Sequence, residues 1–175
     1  MDMKVIIKKA TRADIPAIHQ ITIEAFQKYA LDLGIPDQVK ALKETYESIE
    51  EDLEKKIVLV AWVGDELVGA IRCEILPPGE VGYISRFAVK PEVQNMGVGK
   101  ALMIAIEKEA IKQGASLLTL HTASKMASLV RFYYGMGYYI HSTNTDRGYI
   151  RAYFCKELGK NKRQIDINYI HGTLP

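Results

Sequence analysis

The sequence predicts a single α/β (α+β) domain in which a mixed, mostly antiparallel central sheet is flanked by helices. Its 175 residues, of which 48% are apolar, suit one hydrophobic core. Neighbouring β-rich segments joined by tight turns are typical of antiparallel strands, and apolar residues spaced by three and four positions predict amphipathic helices. No repeat, low-complexity tract or linker separates these segments. We therefore assign residues 1–158 to one domain and residues 159–175 to a C-terminal tail.

The first half of the chain predicts one strand, two helices and three further strands. Met3–Lys9 is expected to be the first strand, and a capping-box pattern at Thr11–Asp14 opens a helix that Gly34 ends. Asp37–Lys56 carries many charged residues and is expected to be one continuous second helix. Hairpin and proline turns then separate three strands, predicted at Ile57–Trp62, Leu67–Leu76 and Val81–Lys90.

The second half predicts alternating helices and strands that complete the sheet. A helix over Gly97–Gln113 is followed by Gly114, a residue type that commonly ends helices. In the tail, Gln164–Ile170 alternates like a strand. We expect it to dock on a sheet edge of this chain or of a second copy, giving a homodimer, or else to be disordered. The other elements are a strand at Ser116–His121, a helix at Ser124–Tyr134, and a hairpin of Tyr138–Thr143 with Tyr149–Leu158.

Composition argues against several classes of partner. The net charge of +2 gives no reason to expect nucleic-acid binding. The longest apolar runs, such as Ile57–Val63, fall far short of the roughly 18 residues that a membrane span needs, and the N-terminus has no signal-peptide pattern. Cys73 and Cys155 show no metal-ligand spacing. We therefore expect buried free thiols, no bound metal and a reducing, cytoplasmic compartment.

The segment Phe87–Lys100 carries the clearest chemical signal. A predicted strand runs through a proline turn into Gln-x-x-Gly-x-Gly, formed by Gln94, Gly97 and Gly99, and then directly into an amphipathic helix. This order directs several backbone N–H groups at the positive end of a helix dipole toward one point, and the two glycines leave room for an anion to approach closely. The segment therefore predicts a pyrophosphate cradle.

Two other phosphate-binding motifs do not fit this segment. A dinucleotide-binding Gly-x-Gly-x-x-Gly needs a third glycine where the chain has Leu102, and a βαβ repeat that does not follow. A P-loop needs Gly-x-x-x-x-Gly-Lys followed by Ser or Thr, whereas Gly99 and Lys100 are followed by Ala101. Both motifs are therefore rejected.

With this segment the chain resembles the GNAT family of N-acetyltransferases, whose signature is Gln/Arg-x-x-Gly-x-Gly/Ala after a strand and a turn. The order of predicted elements also matches, so the resemblance covers roughly residues 4–158. A second family motif, a tyrosine four residues before Gly-Phe, is met by Tyr133, with Gly137-Tyr138 in place of Gly-Phe. The Asn and small Ala frequent at the start of that family helix are replaced by Met126 and Leu129.

The resemblance implies acetyl-CoA as cosubstrate and gives each part of the first motif a role. The backbone of Phe87, Ala88 and Val89, on a strand that splays away from its neighbour, would bind the pantetheine arm. Lys90 and Lys100 either contact phosphate or are solvated. The pyrophosphate would lie on the loop and helix start formed by Gln94, Asn95, Met96, Gly97, Val98, Gly99 and Lys100.

The resemblance also implies a direct attack of an amine on the thioester, with a base for the amine proton and an acid for the departing thiolate. Tyr133 matches the family's acid position. Tyr134 points about 100° away on a helix, so only one of the two can serve. The strand 81–89 lacks the glutamate that many members use as base, and Glu80 at its entrance is the predicted replacement. The alternatives are Glu74, His121 and water.

We therefore expect an acetyl-CoA-dependent N-acetyltransferase that acts on the primary amine of a small molecule or peptide in a ternary complex. A non-catalytic acyl-CoA-binding or regulatory domain is the alternative. The acceptor would be bound by residues 27–56 and the turn Thr143–Gly148, where the acidic helix either attracts a cationic amine or is simply solvated. Arg86, which lies among apolar neighbours, either faces the acceptor or pairs with a carboxylate.

Overall fold

The computed structural model describes residues 4–35 and 39–159, in which one seven-stranded sheet is flanked by four α-helices. The predicted fold class is confirmed. The strands are β1 (Val5–Lys9), β2 (Ile57–Val63), β3 (Glu66–Leu76), β4 (Val81–Val89), β5 (Leu117–Ala123), β6 (Tyr139–Asn144) and β7 (Arg151–Glu157). The helices are α1 (Ile15–Leu33), α2 (Tyr46–Lys55), α3 (Val98–Lys112) and α4 (Ala127–Gly135).

The sheet is mixed and mostly antiparallel, as predicted. Its strand order is β1-β2-β3-β4-β5-β7-β6, and β4 with β5 is the parallel pair among these strands. β2, β3 and β4 form a meander joined by short turns, whereas α1 and α2 lie between β1 and β2 in the chain. The chain then crosses over through α3 before it enters β5, because a tight hairpin cannot join parallel strands.

β4 and β5 separate after a short stretch of pairing. Val81–Tyr83 pair with Leu117–Thr119, whereas β5 pairs with β7 along the whole of Leu117–Ala123. Residues 84–89 of β4 therefore have no ladder partner on the side of β5, and the two strands diverge into a wedge. This is the splayed strand pair that the family resemblance implies. It leaves backbone N–H and C=O groups that a ligand can satisfy.

Helices cover both faces of the sheet. Neighbouring residues of β2 alternate between the two cores, since Leu59 packs in the same core as Leu102 of α3 while Val60 packs with Ile18 of α1 and Ile49 of α2. Four of these side chains are 0% exposed, namely Leu102, Val60, Ile18 and Ile49. Complete burial of an aliphatic side chain contributes about 1.5–3 kcal/mol, so these contacts fix the helices on which the site is built.

The second helix is shorter than predicted. In place of one helix over Asp37–Lys56, Lys40–Lys43 form a 3₁₀ turn and α2 begins after Thr45. The Thr45 hydroxyl accepts a 3.1 Å hydrogen bond from the Ser48 N–H, and the Ser48 hydroxyl accepts one of 3.0 Å from the Thr45 N–H. This reciprocal cap starts a new helix and leaves Glu44 at the break, in extended conformation.

The remaining fold predictions concern a boundary, the thiols and the tail. α4 begins three residues later than predicted because β5 continues to Ala123. Cys73 and Cys155 are buried free thiols, as predicted, and burial raises the pKa of each to about 12, so neither is a nucleophile at neutral pH. Within the described ranges, no helix has the length and apolar character to cross a membrane. The strand predicted at Gln164–Ile170 lies outside the described residues.

Candidate functional site

A cavity of about 680 Å³ fills the wedge between β4 and β5. Residues 83–89 and 120–122 form its two strand walls, and the starts of α3 and α4 contribute further wall. Tyr29 of α1 bridges toward β5, since its hydroxyl accepts a 2.8 Å hydrogen bond from the Ala123 N–H. Cationic side chains outnumber acidic ones in the lining: Lys28, Lys40, Lys56, Arg86, Arg147 and Arg151 against Asp32, Asp52 and Glu74.

A β-bulge in β4 places Arg86 in the cavity wall. Ala88 pairs with Ala70 and Ser85 with Arg72, so β4 has one more residue than β3 between these pairs. Arg86 occupies the bulge with a φ of 50°, and no other non-glycine residue in the described part of the chain has a positive φ. Such a conformation costs about 1–3 kcal/mol, so neighbouring contacts must hold it in place.

Glu44 supplies these contacts. Its carboxylate, with the side chain only 3% exposed, accepts a 2.8 Å hydrogen bond from Arg86 Nε. It also accepts two bonds from the buried Arg72, one of them 3.0 Å from Nη1, and Arg72 donates to Asp52 at 2.9 Å. Arg86 therefore both pairs with a carboxylate and faces the cavity. The charges of Glu44 and Asp52 are neutralised within the protein, so neither is left to attract a cationic amine.

The start of α3 has the open amide groups that an anion cradle needs. Pro91–Met96 form a 3₁₀ turn, and Gly97, with a φ of 78°, turns the chain into the helix. No side chain caps the helix N-terminus, and a Cβ on Gly97 would meet nothing within 4 Å. Gln94, Asn95 and Gly99 line the cavity. Backbone N–H groups of a first helical turn that no side chain caps can donate hydrogen bonds to a phosphate oxygen.

Of the β4 residues predicted to bind pantetheine, Ala88 and Val89 can do so only through their backbone. Ala88 is 2% exposed and Val89 is 8% exposed. The Phe87 ring packs against Phe132, with ring centroids 5.8 Å apart. All three residues line the cavity on the unpaired edge of β4.

The other residues predicted near the cosubstrate lie in three different settings. Val98 is fully buried in the core, so only its backbone can reach a ligand. Met96 and Lys100 are exposed beside the α3 N-terminus. Lys90 donates a 2.6 Å hydrogen bond to Glu66, which raises the pKa of the lysine. Of the two predicted lysines, Lys100 is therefore the better placed for a phosphate.

Tyr133, the predicted acid, lies in the cavity wall and is 5% exposed. Its ring packs against Phe154 and Tyr138, at centroid distances of 5.3 and 6.0 Å. Burial, reinforced by the nearby Tyr29 hydroxyl, raises the pKa of Tyr133 well above its usual value, so the phenol stays protonated at neutral pH. Tyr134 is 52% exposed and lies outside the lining.

Glu80, the predicted base, is not brought to this cavity. It precedes β4, three residues before Tyr83 and so about 10 Å from that end of the cavity wall along an extended strand, and it is not among the lining residues. Two of the alternatives, Glu74 and His121, do line the cavity. His121 has the more informative contacts, because its Nδ1 lies 2.8 Å from the Tyr83 hydroxyl and its Nε2 lies 3.5 Å from the Asn144 amide.

Sequence reasoning missed several cavity residues. Tyr83 and Ser85 alternate with the buried Gly82 and Ile84, and this period of two marks side chains that leave the core. Arg147 does fall in the turn expected to meet the acceptor, and it lines the cavity. Glu44 had no signal of its own, because it lay within a charge-rich segment that was interpreted as a continuous helix.

Three comparisons place this architecture among known proteins. The chain matches the Acetyltransferase (GNAT) family over residues 15–138. It is 27% identical over 126 residues to the uncharacterized N-acetyltransferase YvbK of Bacillus subtilis, covering 69% of this chain and 81% of that protein. The similar solved structures include the following two. The PaiA N-acetyltransferase of Thermoplasma acidophilum in complex with coenzyme A has a TM-score of 0.78 at 20% identity, covering 89% of this chain and 100% of that one. YncA of Salmonella typhimurium, solved with its cofactor acetyl-CoA, has a TM-score of 0.70 at 17% identity, covering 93% of this chain and 99% of that one. The chain therefore belongs to the acetyltransferase (GNAT) family.

Proposed function

We propose that this protein is an N-acetyltransferase that moves the acetyl group of acetyl-CoA to the primary amine of a small molecule or peptide. One observation carries the proposal: a single cavity contains a helix N-terminus without a side-chain cap, an unpaired strand edge and a buried tyrosine. These features match the pyrophosphate, the pantetheine amides and the thioester sulfur of acetyl-CoA respectively.

Acetyl-CoA supplies an activated acyl group, and the protein supplies its placement. The first-turn amides of α3 after Gly97 hold the pyrophosphate, with Gln94, Asn95 and Lys100 beside them. The β4 backbone at residues 87–89 pairs with the pantetheine arm. Backbone dipoles thus provide the complement to an anionic cosubstrate, which is why a chain of net charge +2 needs no broad basic surface.

The reaction needs one proton removed and one proton supplied. The amine enters neutral, its nitrogen forms the C–N bond to the acetyl carbon, and the C–S bond breaks. The amine nitrogen then loses a proton, and the thiolate gains one. Tyr133 donates that second proton, because it is the buried, protonated hydroxyl in the cavity wall.

Tyr83 and His121 form the route for the first proton. Asn144 Oδ1 is buried without a hydrogen-bond partner among the described residues while its amide faces His121 Nε2. With the amide turned so that Oδ1 faces the ring, Nε2–H donates to it, and Nδ1 accepts from the Tyr83 hydroxyl. The Tyr83 oxygen then takes the amine proton as its own proton moves to Nδ1. His121 acts here through Tyr83 and is a positioning residue.

A thiol-release assay with acetyl-CoA and a panel of amines, amino acids, polyamines and peptides tests the activity. We expect free coenzyme A to form with at least one class of primary amine. Tight acetyl-CoA binding without turnover on the whole panel would instead support a non-catalytic acyl-CoA-binding domain. The cytoplasmic location and the homodimer stay predictions.

The substitution Tyr133→Phe removes the proposed acid with little change in packing. We expect turnover to fall about 100-fold, the lower end of general acid contributions, while acetyl-CoA affinity changes no more than a few-fold. Steady-state kinetics and calorimetric titration measure the two quantities. Tyr134→Phe is the matched control and should leave both unchanged, since that side chain is 52% exposed. Equal activity of both variants would make Tyr133 a packing residue.

The proton route predicts coupling between two substitutions. Tyr83→Phe and His121→Gln should each lower turnover by about 100-fold. The double variant should be no slower than the slower of the two single variants, because both substitutions interrupt the same proton route. Wild-type turnover should rise with pH as the base loses its proton, and this limb of the pH profile should disappear in both variants. Losses that multiply in the double variant would show that the two residues act separately and would rule out the relay.

A further inference from the structure

Three arginines converge on the cavity near Tyr83. Arg86 comes from the β4 bulge, Arg151 from the start of β7, and Arg147 from the turn before it. Burial raises the pKa of Tyr83, and the charges of all three arginines act in the opposite direction on the same hydroxyl. All three arginines therefore line one cavity with Tyr83, the residue proposed to take the amine proton.

Internal carboxylates leave the positive charges of Arg86 and Arg151 incompletely neutralised. Glu44 accepts from Arg86 Nε but is shared with Arg72, so one carboxylate serves two guanidinium groups. The terminal nitrogens of Arg86 make no hydrogen bond to the described residues. Asp146 contacts Arg151 Nη2 at 3.4 Å with a side chain that is 65% exposed, and a contact of this length with an exposed partner contributes little.

Arg151 also has an unsatisfied donor. The residue is 6% exposed, it lines the cavity, and its buried Nε has no hydrogen-bond partner among the described residues. An enclosed guanidinium N–H without an acceptor costs free energy, so its retention in a ligand cavity calls for an acceptor brought by a ligand.

We propose that these arginines form an oxyanion subsite and that the acceptor is a small primary amine carrying a carboxylate or phosphonate-type group. The guanidinium fork pairs with such groups through two parallel hydrogen bonds. The inference rests on the proposed function, because it assigns the amine end of the same molecule to Tyr83.

The subsite also narrows the class of acceptor. Arg151 and Tyr83 line the same cavity, and Arg151 acts against the burial that raises the pKa of the Tyr83 hydroxyl. An amine on Tyr83 and an oxyanion on Arg151 would therefore be the two ends of one small acceptor. Amino acids carry both groups, whereas polyamines carry no oxyanion.

Paired acceptors test the subsite. Thiol release is measured with α-amino acids, their carboxamides and aminoalkylphosphonates, using the wild type, Arg151→Lys and Arg147→Gln. We expect kcat/KM to favour the acids over their carboxamides by about 10- to 100-fold in the wild type, and this ratio to fall in both variants. The ratio of the two kcat/KM values is informative because any effect of Arg151 on Tyr83 changes the values for acid and carboxamide equally. Arg131→Lys on the exposed face of α4 is the control and should keep the wild-type ratio.

Product binding keeps the proposal testable if no amine is turned over. Calorimetric titration compares N-acetyl amino acids with their carboxamides, and the acids should bind more tightly in the wild type but not in Arg151→Lys. Turnover with equal use of acids and carboxamides would overturn the oxyanion subsite and leave the acetyltransferase standing. Preference for phosphonates would identify the subsite as one for phosphate-type groups. No turnover together with selective binding of the acids would overturn the proposed reaction alone, and equal binding of acids and carboxamides would overturn the subsite as well.

Discussion

Replacing Gly97 with glutamate is expected to weaken acetyl-CoA binding by more than about 100-fold. The position immediately precedes α3, where a Cβ would meet nothing within 4 Å, so the side chain extends into the space proposed for the pyrophosphate. A carboxylate about 4 Å from a phosphate costs about 1–4 kcal/mol, and it displaces hydrogen bonds to a charged group worth about 1.5–3 kcal/mol. Calorimetric titration with acetyl-CoA measures the loss directly.

Gly97→Gln separates charge from conformation in this experiment. Gly97 has a φ of 78°, so any side chain there carries the same strain of about 1–2 kcal/mol, and both variants should lose similar thermal stability. Glutamine matches glutamate in size, and we expect it to retain clearly more affinity. Wild-type affinity in Gly97→Glu would show that the pyrophosphate does not lie on this helix.

The parts of the site built from contiguous sequence were predictable. Gln94, Gly97 and Gly99 lie in one segment, and the order of strand, turn and helix fixes where their backbone N–H groups point. Tyr133 was assigned through the family resemblance, from its spacing to Gly137-Tyr138, and it lines the cavity. Local geometry decides these features, so the sequence pattern carries them.

The parts assembled from distant segments were not predictable from one sequence. Glu44 lies 42 residues from Arg86, and Tyr83 lies 38 residues from His121. Strand register and the bulge in β4 bring each pair together, and neither leaves a local signal. The glutamate expected beside the thioester was therefore assigned to the nearest carboxylate along the chain, Glu80, although an extended strand carries that residue away from the cavity.

The same buried network carries the largest expected effect on stability. Glu44→Gln keeps the shape of the side chain but removes the charge shared by Arg72 and Arg86. Breaking a buried ion pair costs about 3–5 kcal/mol, because the remaining charges stay buried without compensation. We expect the free energy of unfolding to fall by about 3 kcal/mol, the lower end of this range. Arg72 keeps its 2.9 Å contact with Asp52, and the Arg86 side chain is 29% exposed. A domain of this size should then melt roughly 6–12 °C lower.

A matched control and a second readout show whether Glu44 also organises the site. Glu47→Gln, on the exposed start of α2, should change the melting temperature by less than about 2 °C, because surface substitutions usually stay within 0.5 kcal/mol. Glu44 fixes Arg86 in its positive-φ bulge, so Glu44→Gln should also weaken acetyl-CoA binding, since the adjoining backbone of Phe87 and Ala88 loses its fixed geometry. If Glu44→Gln has the same melting temperature as Glu47→Gln, the network does not stabilise the fold. If it melts lower but binds acetyl-CoA as tightly as the wild type, Glu44 supports α2 and the bulge keeps its shape without it.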